Sequence, residues 1–71
     1  MILIRLDRTG HTELDLGVDA MITELEKDMN LGRVMIAEEP GKAATYLREA
    51  GEVRDLDPQT RITVAPQLQG G

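Results

Sequence analysis

Few side chains in this 71-residue sequence could carry chemistry, and their spacing argues against a self-contained active site. There is no cysteine and no serine, there are six threonines, and His11 is the single histidine. A general base needs an orienting partner and a pocket, whereas His11 follows Gly10 in a segment that reads as an exposed hairpin turn. One imidazole without thiols cannot assemble a Cys/His metal cluster, and no threonine stands at a recognisable spacing from a base. No catalytic residue and no metal ligand is assigned, and the chain is read as not an enzyme. What remains is Gly70-Gly71, approached by Gln67, Leu68 and Gln69. Residues without Cβ let a backbone lie close to the walls of a narrow channel and take angles that other residues resist. Lys27 and Lys42 are the only lysines.

Composition sets the frame for these residues. A chain of this length is one domain, and its core must be aliphatic because Tyr46 is the only aromatic residue. The formal charge is −5, from 13 acidic and 8 basic side chains. Phosphate backbones are bound through Lys and Arg, and single strands also through aromatic stacking. Neither a basic patch nor a stacking platform is present, so nucleic acid is not expected as a partner. The apolar start Met1-Ile2-Leu3-Ile4 is interrupted at Arg5, short of a signal or membrane-spanning segment. With no cysteine to form disulfides, the expectation is a soluble cytoplasmic protein without membrane association.

Periodicity then places the elements. Residues 1–7 alternate, and the expected parity puts Ile2, Ile4 and Leu6 inward, with Met1, Leu3, Arg5 and Asp7 outward. After Arg8-Thr9-Gly10 the alternation resumes with Leu14 and Leu16 inward, which predicts a β-hairpin. From Val18 the period changes to that of a helix, with Val18, Met21, Ile22, Leu25 and Met29 on one stripe. Thr23, Glu24, Glu26, Lys27 and Asp28 fill the opposite face, Asp19 is the expected N-cap, and Asn30 or Gly32 ends the helix. Residues 33–37 read as a strand in preference to a continuing helix. Over 40–51 a short helix is favoured, against a hairpin pairing 45–48 with 52–55. Val53 and Leu56 suggest a brief extended segment, residues 57–60 a turn, and 61–65 a final strand with Ile62 and Val64 inward. Pro66 lacks the N–H that a ladder needs, so residues 1–66 form the domain and 67–71 a flexible tail. The sum is an α+β fold, a mixed sheet of four to five strands packed on one helix.

Met1-Ile2, the turn Thr9-Gly10 with Thr12 beyond it, the helix after Val18-Asp19 and the terminal Gly70-Gly71 resemble ubiquitin and its bacterial, archaeal or phage relatives. The ending from Val64 through Pro66 to Gly70-Gly71 is also similar to the small sulfur-carrier proteins. The resemblance spans the chain in element order and is specific mainly at the first hairpin and the tail. It departs from ubiquitin in the core parity of the first two strands and across residues 38–51.

The resemblance implies a β-grasp fold and a C-terminal carboxylate that a separate activating enzyme adenylates with ATP and magnesium. No cofactor is expected to be bound by the chain itself. Gly70 and Gly71 would be the activation and conjugation site, and Gln67, Leu68 and Gln69 would contact partners on the approach. Those partners would be the activating enzyme, a conjugating enzyme, a deconjugating peptidase and lysines of target proteins. Lys27 and Lys42 would be the acceptors for chains built on the protein itself. The alternatives are a sulfur carrier with a thiocarboxylate at Gly71, and a non-covalent binding module. In the binding module, Met1 and Leu3 would contribute to an exposed sheet face opposite the helix.

Overall fold

The computed structural model describes residues 1–66. The expected tail, Gln67 to Gly71, lies outside the described residues. Five strands form one mixed sheet: β1 (Ile2–Asp7), β2 (Gly10–Asp15), β3 (Val34–Glu38), β4 (Thr45–Tyr46) and β5 (Arg61–Ala65). Their order is β2-β1-β5-β3-β4. The long helix α1 (Val18–Asn30) covers one face, and a short 3₁₀ helix (Ala50–Asp55) packs against it.

The first hairpin forms as its alternation predicts. Asp7 pairs with Gly10 across Arg8-Thr9. Asp7 Oδ1 accepts hydrogen bonds from Thr9 N at 2.8 Å and Thr9 Oγ1 at 2.7 Å, so the aspartate folds the backbone back on itself. Gly10 follows at φ +131°, a conformation that side chains with Cβ resist.

The parity of β1 is the reverse of the expectation. Leu3 is fully buried and sits opposite Leu14 on the helix-facing side. Ile2 and Ile4 lie opposite Asp15 and Glu13, on the open side, and Leu6 is exposed. The inward placement of Leu14 and Leu16 holds, since both pack against the core. Either parity of β1 offers aliphatic side chains, and Arg5 is what makes the wrong one attractive. A lone arginine under a helix would be costly, but here it meets two carboxylates. The same reversal removes Met1 and Leu3 from the exposed sheet face.

Those carboxylates come from α1. Arg5 Nε lies 3.2 Å from both oxygens of Asp28, its Nη2 is 2.9 Å from Asp28 Oδ2, and its Nη1 is 3.1 Å from Glu24 Oε1. Arg33 Nη1 donates to Asp28 Oδ1 at 2.9 Å. Asp28 is therefore 1% exposed, a correction to its expected place on the solvent face. The buried residues of α1 are Met21, Leu25 and Asp28, while Val18 and Met29 stand at the margin, exposed.

Helix boundaries follow local chemistry. The N-cap is Gly17, with no side-chain cap, and Asp19 sits in the first turn where the dipole favours an anion. At the other end Gly32 N–H donates to Met29 O and Arg33 N–H to Asp28 O, both at 3.0 Å. This double closure needs the left-handed conformation that Gly32 adopts at φ +71°. It also sets Arg33 next to the carboxylate it binds.

Residues 40–51 do not form the favoured helix, nor does the competing hairpin form. Pro40-Gly41 lies in a turn closed by Lys42 N–H on Glu39 O at 3.1 Å. Thr45 and Tyr46 then pair with Ala37 and Ile36, which makes β4 an edge strand. Val53, expected in an extended segment, is instead buried within the 3₁₀ helix. A reciprocal capping box of Glu49 and Glu52 starts that helix. The turn at 57–60 is as expected, closed by Thr60 N–H on Asp57 O at 2.9 Å.

The last strand occupies the centre of the sheet. It runs parallel to β1, with Leu3 beside Ile62, and antiparallel to β3, with Met35 beside Val64. The core gathers Leu3, Met21, Leu25, Met35, Ala37, Ala50, Val53, Ile62 and Val64. Thr60 is buried with them, and its Oγ1 has no hydrogen-bond partner among the described residues.

Candidate functional site

The place to look is the end of β5, because every tail residue singled out from the sequence follows it. Val64 is buried, Ala65 pairs with Val34 of β3, and Pro66 then leaves the ladder. Because β1 and β5 are parallel, their C-terminal ends lie side by side. Leu6, Asp7 and Arg8 from the first hairpin thus line one groove with Ala65 and Pro66, of about 370 Å³. Its walls are mostly apolar, with a carboxylate and a guanidinium at the rim. The chain leaves the described structure from the wall of this groove.

Gly70 and Gly71, with Gln67, Leu68 and Gln69, lie outside the described residues. The two candidate acceptors are within them and far apart in character. Lys27 is in the last turn of α1, 65% exposed, and its Nζ donates to Glu24 Oε2 at 2.8 Å. Lys42 is 70% exposed in the turn after β3, with its Nζ 3.8 Å from Glu39 Oε2, beyond hydrogen-bond distance. An amine attacking an acyl group must be free of such a donor role, so Lys42 is the less encumbered of the two.

His11 is 60% exposed near the start of β2, 3.8 Å from Glu13. Among the described residues no enclosed partner orients it. Among the described residues there is no group of three His, Cys, Asp or Glu side chains placed to hold a metal ion. No helix among them is long and apolar enough to cross a membrane.

Comparison with family models, with curated proteins and with solved structures finds no match.

Three carboxylates are held below their ordinary range by neighbours. Hydrogen bonds from the Thr9 side chain and backbone lower Asp7. The Lys27 ammonium, then the Arg5 guanidinium, lower Glu24, and backbone N–H groups of Glu49 and Arg48 lower Glu52. Arg5 is raised, chiefly by its hydrogen bond to Asp28. A carboxylate lowered in the folded state stabilises it above the unfolded pKa and ceases to do so as pH falls through the folded value. Melting temperature is thus expected to hold from neutral pH to about 5 and to decline below about 4. Thermal melts across that range check this, and an unchanged midpoint down to about pH 3 would contradict it.

Sequence reasoning did not bring Leu6, Asp7 and Arg8 together with Ala65 and Pro66. The signal was the parallel pairing of the first and last strands, which brings together residues about 60 positions apart.

Proposed function

We propose that this chain is a β-grasp, ubiquitin-like protein modifier. In this reading an ATP- and magnesium-dependent enzyme activates the carboxylate of Gly71, and the protein is then joined to lysines of target proteins. The observation that carries the reading is the placement of β5. It is the central strand, parallel to β1, and it reaches the sheet margin at Pro66 just before Gln67-Leu68-Gln69-Gly70-Gly71. A rigid body with a short glycine-ended peptide suits delivery of a carboxylate into another protein's narrow active site. The reading requires a free carboxylate at Gly71 in the mature protein.

The chemistry belongs to the partner enzyme. Adenylation joins the Gly71 carboxylate to AMP with release of pyrophosphate, and a thiolate of the enzyme then displaces AMP. With no Cβ, Gly71 leaves the approach to its carbonyl open, and Gly70 lets the preceding backbone extend. Leu68 is the apolar anchor on the approach, with Gln67 and Gln69 as polar contacts. A conjugating enzyme and a deconjugating peptidase would read the same five residues.

The Pro66-to-Gly-Gly ending supports a second reading, a sulfur carrier in which Gly71 becomes a thiocarboxylate. Incubation with candidate activating enzymes, ATP and magnesium, followed by intact-mass analysis, separates the two. Covalent protein adducts that disappear when Gly71 is deleted are the expected result for the modifier. A mass gain equal to exchange of one oxygen for sulfur identifies the carrier. Adducts that persist without Gly71 would reject both.

A further inference from the structure

We infer that the groove between the first hairpin and the end of β5 is the seat of the chain's own Leu68, which closes the tail back over Leu6. The inference does not depend on the Gly71 chemistry, and its test uses no activating enzyme.

The groove is built wholly from described residues. Leu6, Asp7 and Arg8 line it on one side and Ala65 and Pro66 on the other, around about 370 Å³. Leu6 is 43% exposed there. The Asp7 carboxylate is committed to the turn, because its Oδ1 accepts from both Thr9 N and Thr9 Oγ1. Arg8 can cover apolar surface with its alkyl stem while its guanidinium stays in water. Such a groove suits an aliphatic group better than an ion.

Reach decides which aliphatic group fills it. Pro66 lines the groove, and Gln67-Leu68-Gln69-Gly70-Gly71 follow it directly. Leu68 is the only one of these five with an aliphatic side chain. It stands two residues beyond Pro66, a span of about 7 Å for extended backbone. The parallel register sets Val64 beside Arg5, so the chain that follows runs alongside Leu6. With Leu68 turned to the groove, side-chain alternation turns Gln67 and Gln69 to water. Tethered by so short a link, Leu68 competes at an effective concentration on the order of millimolar. A free partner or a second copy, being far more dilute, would have to bind much more tightly to displace it. A seated Leu68 also withholds the apolar anchor of the tail, so an enzyme taking the tail must first draw it out. That consequence, unlike the contact itself, rests on the modifier reading.

NMR of the full chain tests the contact. Nuclear Overhauser effects are expected between the methyl groups of Leu68 and those of Leu6 and Ala65, unchanged on dilution. Leu68→Ser is expected to shift the Leu6 methyl and Arg8 amide signals, which lie far in sequence from the substitution. Leu6 is exposed, so Leu6→Ser leaves the core intact and is expected to move the Leu68 methyl signals to unstructured-peptide positions. The proposal is overturned if the Leu68 methyls show no contact with Leu6, or if either substitution leaves the other residue's signals in place. Contacts that fade on dilution would also overturn it, in favour of a second copy's tail as occupant. None of these readouts changes if Gly71 proves never to be activated.

Discussion

Leu3→Ala is expected to lower the unfolding free energy by about 3 kcal/mol, and Ile4→Ala by only about 1 kcal/mol. The two side chains are adjacent and of equal size, so sheet parity is what separates them. Leu3 is fully buried between Ile62 and Leu14, beneath α1. Its truncation removes transfer free energy and leaves a cavity that a close-packed aliphatic core cannot fill. Ile4 is half-buried on the open face, where water replaces the lost methyl groups. For a domain of this size total stability is on the order of 4–10 kcal/mol, so the Leu3 variant is expected to unfold at markedly lower urea. Urea unfolding of both variants at neutral pH checks this. Equal losses, or a larger loss at Ile4, would mean that β1 is registered with the opposite parity.

The second large effect is at Asp28. Asp28→Ala is expected to destabilise by about 3 kcal/mol, the lower part of the range for breaking a buried ion pair. The carboxylate is 1% exposed, and Arg5 and Arg33 are 24% and 38% exposed. Arg33 can regain water once Asp28 is gone. Arg5 has less access, keeps only Glu24, and carries most of the loss. The substitution also leaves Arg33 without the anchor that follows the Gly32 closure, so the α1–β3 connection should loosen. A double variant, Arg5→Leu with Asp28→Leu, is expected to recover much of the stability, because a buried pair is often no better than packed hydrocarbon. Urea unfolding of Arg5→Leu, Asp28→Leu and the double variant forms the cycle. Additive losses would show that Arg5 and Asp28 act separately.

These two variants mark where sequence reading and structure part. The β1–β2 hairpin, α1, β3, the turn at 57–60 and β5 were legible because each is local. Alternation, a 3.6-residue stripe, Gly10 and Gly32 at closures, and Asp57-Pro58 at a turn all act within a few residues. The parity of β1 was not legible, because both faces of MILIRLD are aliphatic and Arg5 seemed to settle the choice. Its partners, Glu24 and Asp28, lie 19 and 23 residues away. Residues 40–55 were misread for a related reason. Pro40, the alanines and Gly51 fit a helix by propensity. The open edge of β3 instead recruits Thr45-Tyr46, and the core recruits Ala50 and Val53. Tertiary demand outweighed a weak local preference.

The candidate site divides in the same way. The residue types of Gln67-Leu68-Gln69-Gly70-Gly71, the absence of thiols and the two lysines are properties of the chain, fixed without any fold. They define what chemistry an outside enzyme could perform. That Pro66 ends a central strand, beside Leu6, Asp7 and Arg8, was decided only when β5 paired in parallel with β1. Which aliphatic residues of β1 face the helix and which face the open side goes with the ion pair of Arg5 and buried Asp28. Local patterns are encoded by neighbours in sequence. Strand order, facing and ion pairing depend on contacts whose free energy exists only once distant segments have met.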